Sequence, residues 1–126
     1  MSFSDHLETE VLEWAFTSGT PTRPSAWYLA LFTAAPSDSG GGTEVATGSY
    51  ARQSVTFTVT GDTASNSGSI EFPTATANYG TVTHVGVFDA SSAGNLLAWA
   101  ALTSSKTIET GDVFRVPSGD LDITLN

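Results

Sequence analysis

The sequence predicts an all-β protein, a β-sandwich of jelly-roll type preceded by one N-terminal α-helix. Three observations predict it. Apolar residues recur with period two from Ala26 onward and with helical period only before residue 17. About eight short apolar runs are separated by Gly-, Asn- and Asp-containing turns, the spacing of a sandwich or jelly roll. Charged residues make up only 13% of the chain while Ser, Thr and Gly abound, a composition that suits strands and tight turns.

The helix is expected over residues 4–16. Ser4 can cap it, because its hydroxyl can accept a free first-turn amide. Asp5 and Glu8 then lie near the positive end of the helix dipole. Leu7, Val11 and Trp14 repeat at helical spacing, and Leu12 and Phe16 are expected to widen that stripe over the protein's own sheet. Glu10 and Glu13 are expected on the wet side. The Thr17–Pro21 segment ends the helix, since Gly19 and Pro21 both interrupt helical geometry.

The run Ala26–Phe32 is apolar at consecutive positions, which predicts a central strand covered on both faces, on one of them by the N-terminal helix. Residues 35–49 predict a long flexible or sharply turned loop around Gly40, Gly41 and Gly42. In Gln53–Val59 the side chains Val55, Phe57 and Val59 alternate with Ser54, Thr56 and Thr58. Ile70 and Phe72 mark a short strand closed by Pro73. Thr81–Asp89 predicts a strand with Val85 and Val87 on one face and Val82, Gly86 and Phe88 on the other. Ser91–Gly94 forms a hairpin-like connection to Asn95–Leu102. Lys106–Glu109, Val113–Val116 and Leu121–Leu125 complete the strands, with turns at Gly111-Asp112 and Gly119-Asp120. The 126 residues read as one domain, with residues 1–20 as helix and hinge.

Charge narrows the function. Four Lys and Arg stand against 13 Asp and Glu, a formal charge of −9. Such a surface repels phosphate backbones and anionic bilayers, so neither nucleic acid nor membrane is an expected partner. Residues 1–20 carry Asp5, Glu8, Glu10 and Glu13 where a secretory leader needs a basic start and an apolar run, so no such leader is expected. With no cysteine there is no disulfide and no thiolate metal site.

No catalytic constellation stands out. His6 is expected on the helix surface. His84 is expected inside a strand with a structural role, because a lone histidine lacks the convergent partners that catalysis or metal binding requires. No Gly-x-Ser-x-Gly elbow is present. The Gly40–Gly42 run lacks the Lys and following helix of a phosphate loop. Asp62, Asp89, Asp112, Asp120 and Asp122 belong to turns, where a carboxylate accepts backbone amides. They would hold calcium only by converging at one end of the fold. No cofactor is expected.

The candidate interface residues are Trp14 and Phe16 on the helix, Gly40, Gly41 and Gly42 in the loop, and Tyr50, Arg52 and Tyr79. Trp27 and Trp99 lie in apolar runs and are expected in the core. Tyr50 and Tyr79 sit among turn residues, which predicts exposure and leaves sugar stacking open. Arg52 and Arg115 are each expected to pair with a carboxylate, within the domain or across an interface.

Four stretches carry a family likeness: SFSDHLETEVLEW at the start, LALFTAAPSDSGGGTEVATGSYARQ over Leu29–Gln53, EFPTATANYGTVTHVGVFDASSAGNLLAWAAL over Glu71–Leu102, and GDVFRVPSGDLDITL over Gly111–Leu125. Together they resemble a family of small tailed-bacteriophage virion structural proteins, commonly labelled phage tail fibre proteins. The resemblance implies a non-enzymatic virion protein on the outer surface of the particle, with capsid or tail proteins as partners and a homo-oligomeric state. It implies no site residues. The sequence has no repeat, coiled coil or β-helix from which to build a fibre shaft. The expected role is therefore a capsid decoration or cement protein. A tail-fibre or receptor-binding module is the alternative, and a carbohydrate-binding domain a further one.

Overall fold

The apolar runs around residues 30, 86 and 98 pair with one another at the centre of the fold. In the computed structural model, which describes residues 1–125, they belong to β2 (Tyr28–Ala34), β8 (Gly80–Phe88) and β9 (Leu96–Ile108). The other elements are β1 (Ser2–Phe3), α1 (Asp5–Phe16), β3 (Thr43–Glu44), β4 (Gln53–Ser54), β5 (Phe57–Thr60), β6 (Thr63–Asn66), β7 (Ile70–Glu71), β10 (Arg115–Val116) and β11 (Asp122–Thr124). The fold is thus mostly β with one short helix.

The largest sheet runs β1-β9-β8-β2-β3, with β4 also paired to β2. Every named pairing is antiparallel, with Leu29 opposite Val87 and Leu31 opposite Val85. The smaller sheets are β11-β6-β5 and β10-β7. One apolar cluster joins them. Leu29, Leu31, Val85 and Val87 from the large sheet meet Ile70, Phe72, Phe114 and Leu121 from the smaller sheets and their flanks. Phe72 is 1% exposed and packs between the rings of Tyr50 (6.0 Å) and Phe114 (5.8 Å). Buried Asn66 is fully satisfied: its Nδ2 donates to the Gly68 and Pro117 carbonyls, and its Oδ1 accepts from Leu121 N–H. It thereby ties β6 to the approach to β11.

β2 is central and covered on both faces, as its composition predicts, but not by the helix. α1 packs mainly against β9 and β1. The second face carries Phe32 stacked on Phe88 at 6.2 Å, with Arg52 over the Phe88 ring. Gly86 leaves room for these side chains, since a Cβ would come within 2.9 Å of Leu96 Cδ1 and 3.0 Å of Phe32 Cε2.

Three other expectations change. Asn95–Leu102 and Lys106–Glu109 are one strand, β9, because the polar stretch between them stays extended opposite β8. A register shift falls between Val82 and His84, and it lets Val82 join Val85 and Val87 in the core rather than face away. Gln53–Val59 divides into β4 and β5, which belong to different sheets; Val55 is buried while Val59 is exposed.

Candidate functional site

The N-terminus is fixed by local chemistry. Ser4 caps α1, its Oγ accepting from Leu7 N–H at 3.2 Å and donating to the Leu96 carbonyl at 2.5 Å. Ser4 N–H donates to the Leu97 carbonyl. The start of the helix is therefore pinned to β9 through β1, which pairs Phe3 with Ala98.

Beyond that first turn the helix has little cover. No α1 residue is fully buried, and only Leu7 packs against the core cluster. Leu12 is 58% exposed, Trp14 71% and Phe16 81%. The expected apolar stripe over the protein's own sheet does not form. At 100° per residue Leu12 and Phe16 point away from the Leu7–Val11–Trp14 line, so the helix is apolar on two sides. Trp14 and Phe16 are surface residues.

Beside the helix lies a trough. Leu7, Val11 and Trp14 form one wall and residues 20–25 the other, with Leu97 between them, enclosing about 690 Å³. A second depression of about 510 Å³ shares Leu7, Arg23, Pro24 and Leu97 with the first. It continues past Trp27 to Phe57, Val59 and Leu125 on the small sheet. The two adjoin at these shared residues and, taken together, make up an apolar channel that runs from α1 to the β11-β6-β5 sheet. Sequence reading missed it, because its walls come from five separate parts of the chain.

Of the two expected forms, flexible or sharply turned, the glycine loop takes the sharply turned one. Ser37 and Gly40 exchange backbone hydrogen bonds, and β3 pairs its end to β2. Asp38 anchors the loop. Its Oδ1 accepts from Trp99 Nε1–H at 2.8 Å, and its carbonyl accepts from Asp5 N–H at 2.8 Å. Gly40, Gly41 and Gly42 all have left-handed φ, and a Cβ on Gly42 would meet Pro36 N at 2.7 Å. Gly40–Gly42 line a polar hollow with Phe32, Glu44 and Phe88.

Tyr50, Arg52 and Tyr79 turn inward, so the expectation of exposed tyrosines is corrected. Tyr79 is 4% exposed and meets Tyr50 edge-on at 5.8 Å. Leu31 N–H donates to the Tyr50 hydroxyl, which donates to Glu44 Oε2. Burial and the Glu44 carboxylate push the Tyr50 phenol far above its ordinary range. Arg52 finds its carboxylate within the domain: Nε and Nη2 donate to the two Glu44 oxygens at 2.9 and 2.8 Å. Its Nη1 reaches the carbonyls of Ala90 and Ala93 at 3.0 and 2.8 Å, and its guanidinium lies 3.7 Å from the Phe88 ring centre. Burial alone would raise the Glu44 carboxyl, but hydrogen bonds from Arg52 and Tyr50 and the Arg52 charge outweigh it and hold its pKa below the ordinary value. This cluster is a structural clasp between β3, the approach to β4, and the β8–β9 turn.

Among the described residues Arg115 makes no ion pair; it stands opposite Glu71 in the β7–β10 register. His84 hydrogen-bonds Thr83 at 2.8 Å beside the Trp99 ring. Trp27 and Trp99 are half-buried. Asp89 accepts from the Asn95 backbone and side chain. These bonds outweigh the desolvation that would raise its carboxyl, and its pKa falls below the ordinary value. Among the described residues the turn aspartates do not converge into a group able to hold a metal ion, and no helix is long and apolar enough to cross a membrane.

What the surface offers is a net negative charge, exposed apolar side chains on the helix and an apolar channel, features of docking. The chain matches, over residues 2–124, the model of the family described as Podophage GP4 fiber I protein gp80. No curated protein matches it significantly. With that match spanning nearly all of its length, the chain belongs to the podophage GP4 fiber I protein family, a phage tail-fibre-type family.

Proposed function

We propose that the protein is a non-enzymatic structural component of a podophage tail fibre, carried on the outer surface of the virion and docked on other particle proteins. The observation that carries this reading is the match to a fibre family over residues 2–124. The exposed Trp14 and Phe16 agree with it, since a free monomer gains nothing from leaving such side chains in water. The sandwich reading accompanies it, with the large sheet packing one face on the two smaller ones. A homo-oligomeric state goes with it as well, since fibres are built from repeated chains.

The tail now takes precedence over the capsid. Small size and a charge of −9 suit a capsid decoration protein equally, whereas the family description is specific to a fibre. The glycan-binding reading loses its proposed platform, because Tyr50 and Tyr79 face the interior.

Separating purified particles into heads and tails and quantifying this chain in each tests the proposal. It is expected with the tails at low copy number. Recovery with the heads in hundreds of copies would return the assignment to capsid decoration.

A further inference from the structure

The apolar channel beside α1 has a charge pattern that selects its occupant. Among the residues lining its two depressions, Glu10, Asp62 and Asp89 are carboxylates, while Arg23 is the one fixed positive charge and His6 the one histidine. Glu8 and Glu13 add negative charge to the same helix, which has no basic residue in its last turn. The apolar part is substantial, with Val11, Trp14, Val59 and Leu125 all exposed along it.

From this we infer that the channel between α1 and the β11-β6-β5 sheet is a docking site for a cationic apolar segment of another protein. The segment's apolar side chains would lie against Val11 and Trp14, and its Lys or Arg would face Glu10, Asp62 and Asp89. Two arguments exclude the nearest alternatives. A second copy presenting its own channel would set like carboxylates against these, a repulsive arrangement, so a homo-oligomer would form through another face. An anionic bilayer would meet the same repulsion. An apolar anchor flanked by positive charge satisfies both halves of the site, burying the indole and neutralising the rim.

That the partner is a particle protein rests on the tail-fibre reading; the chemistry of the site does not. The full chain, labelled with ¹⁵N, is titrated with three synthetic peptides: alternating Leu and Lys, alternating Leu and Glu, and alternating Ser and Lys. The Trp14 indole N–H is the reporter, and the Trp99 indole, tied to Asp38, is the internal reference. The Leu-Lys peptide is expected to bind and shift Trp14, and the other two to bind at least about tenfold more weakly. The affinity is expected to fall on raising salt to about 1 M, where screening reaches about 3 Å.

Val11→Ser with Trp14→Ser should abolish binding while the circular dichroism stays unchanged, because both side chains are exposed. Glu10→Lys should weaken the Leu-Lys peptide and admit the Leu-Glu one. Equal binding of the Leu-Glu peptide, or undiminished Leu-Lys binding by the double variant, would overturn the assignment. So would self-association of the wild type that the double variant lacks, since a second copy would then be the occupant. Absence of the chain from purified tails would overturn the fibre reading and leave the peptide discrimination intact.

Discussion

Replacing Arg52 by Ala removes the clasp in one step. The guanidinium is 8% exposed and its Glu44 partner 25%, so both are largely withdrawn from water. Five interactions are lost together: two hydrogen bonds to Glu44, two to the Ala90 and Ala93 carbonyls, and the contact with Phe88. Summing them would overcount, because the two carbonyls lie at an exposed turn and Glu44 can rehydrate in part. Breaking a buried ion pair from one side costs about 3–5 kcal/mol, and the partial exposure of Glu44 sets the expectation at the lower end, about 3 kcal/mol. For a chain of this length that is a fall in Tm of roughly 12 °C. Arg52→Lys keeps the charge but loses the planar fork, and should cost roughly half as much. Thermal melts followed by circular dichroism read both. A double-mutant cycle with Glu44→Gln should show coupling of at least about 1 kcal/mol. A Tm for Arg52→Ala within a few degrees of wild type would refute the clasp as a stabilising element.

Acid should act through the same pair. Because the folded pKa of Glu44 lies below its ordinary 4.5, the unfolded chain binds the proton more readily. The stabilisation is therefore fully present above pH 4.5 and lost as pH falls through the lower, folded value. Denaturant midpoints measured across that window should fall for wild type and fall less for Glu44→Gln. Gly42→Ala should destabilise by about 2 kcal/mol or more, from left-handed φ and the close approach of Pro36 and Ala34, read as a shift in denaturant midpoint. Trp14→Ser with Phe16→Ser should leave the Tm nearly unchanged, within about 0.5 kcal/mol, because both side chains are exposed; a large loss would mean that the helix packs on its own sheet.

Where the sequence was informative, the determinants are local. Ser4 caps the helix through contacts a few residues away, and the apolar runs of β2 and β8 need no knowledge of partners to be read as buried strands. Arg52 found a carboxylate because a buried guanidinium must. The misreadings came from non-local packing. Tyr50 and Tyr79 are flanked by Gly48, Ser49, Asn78 and Gly80, which look like exposed turns, yet Phe72 and Glu44 hold Tyr50 inside. Thr103–Thr107 resembles a loop because the far half of β9 is exposed and has no apolar face to alternate. The helical period of Leu7, Val11 and Trp14 marked an apolar face correctly, but periodicity says nothing about what covers it. The channel was illegible for the same reason, since Leu97, Trp27 and Val59 meet only once the sheets are assembled.

Cryo-electron microscopy of intact particles, with this chain fitted into the density, tests the central claim most directly. The account predicts density for the β-rich domain on the tail, in a few copies, with α1 turned toward a neighbouring protein. Density distributed over the capsid lattice, or a tail-bound domain whose Trp14 faces open solvent, would contradict it.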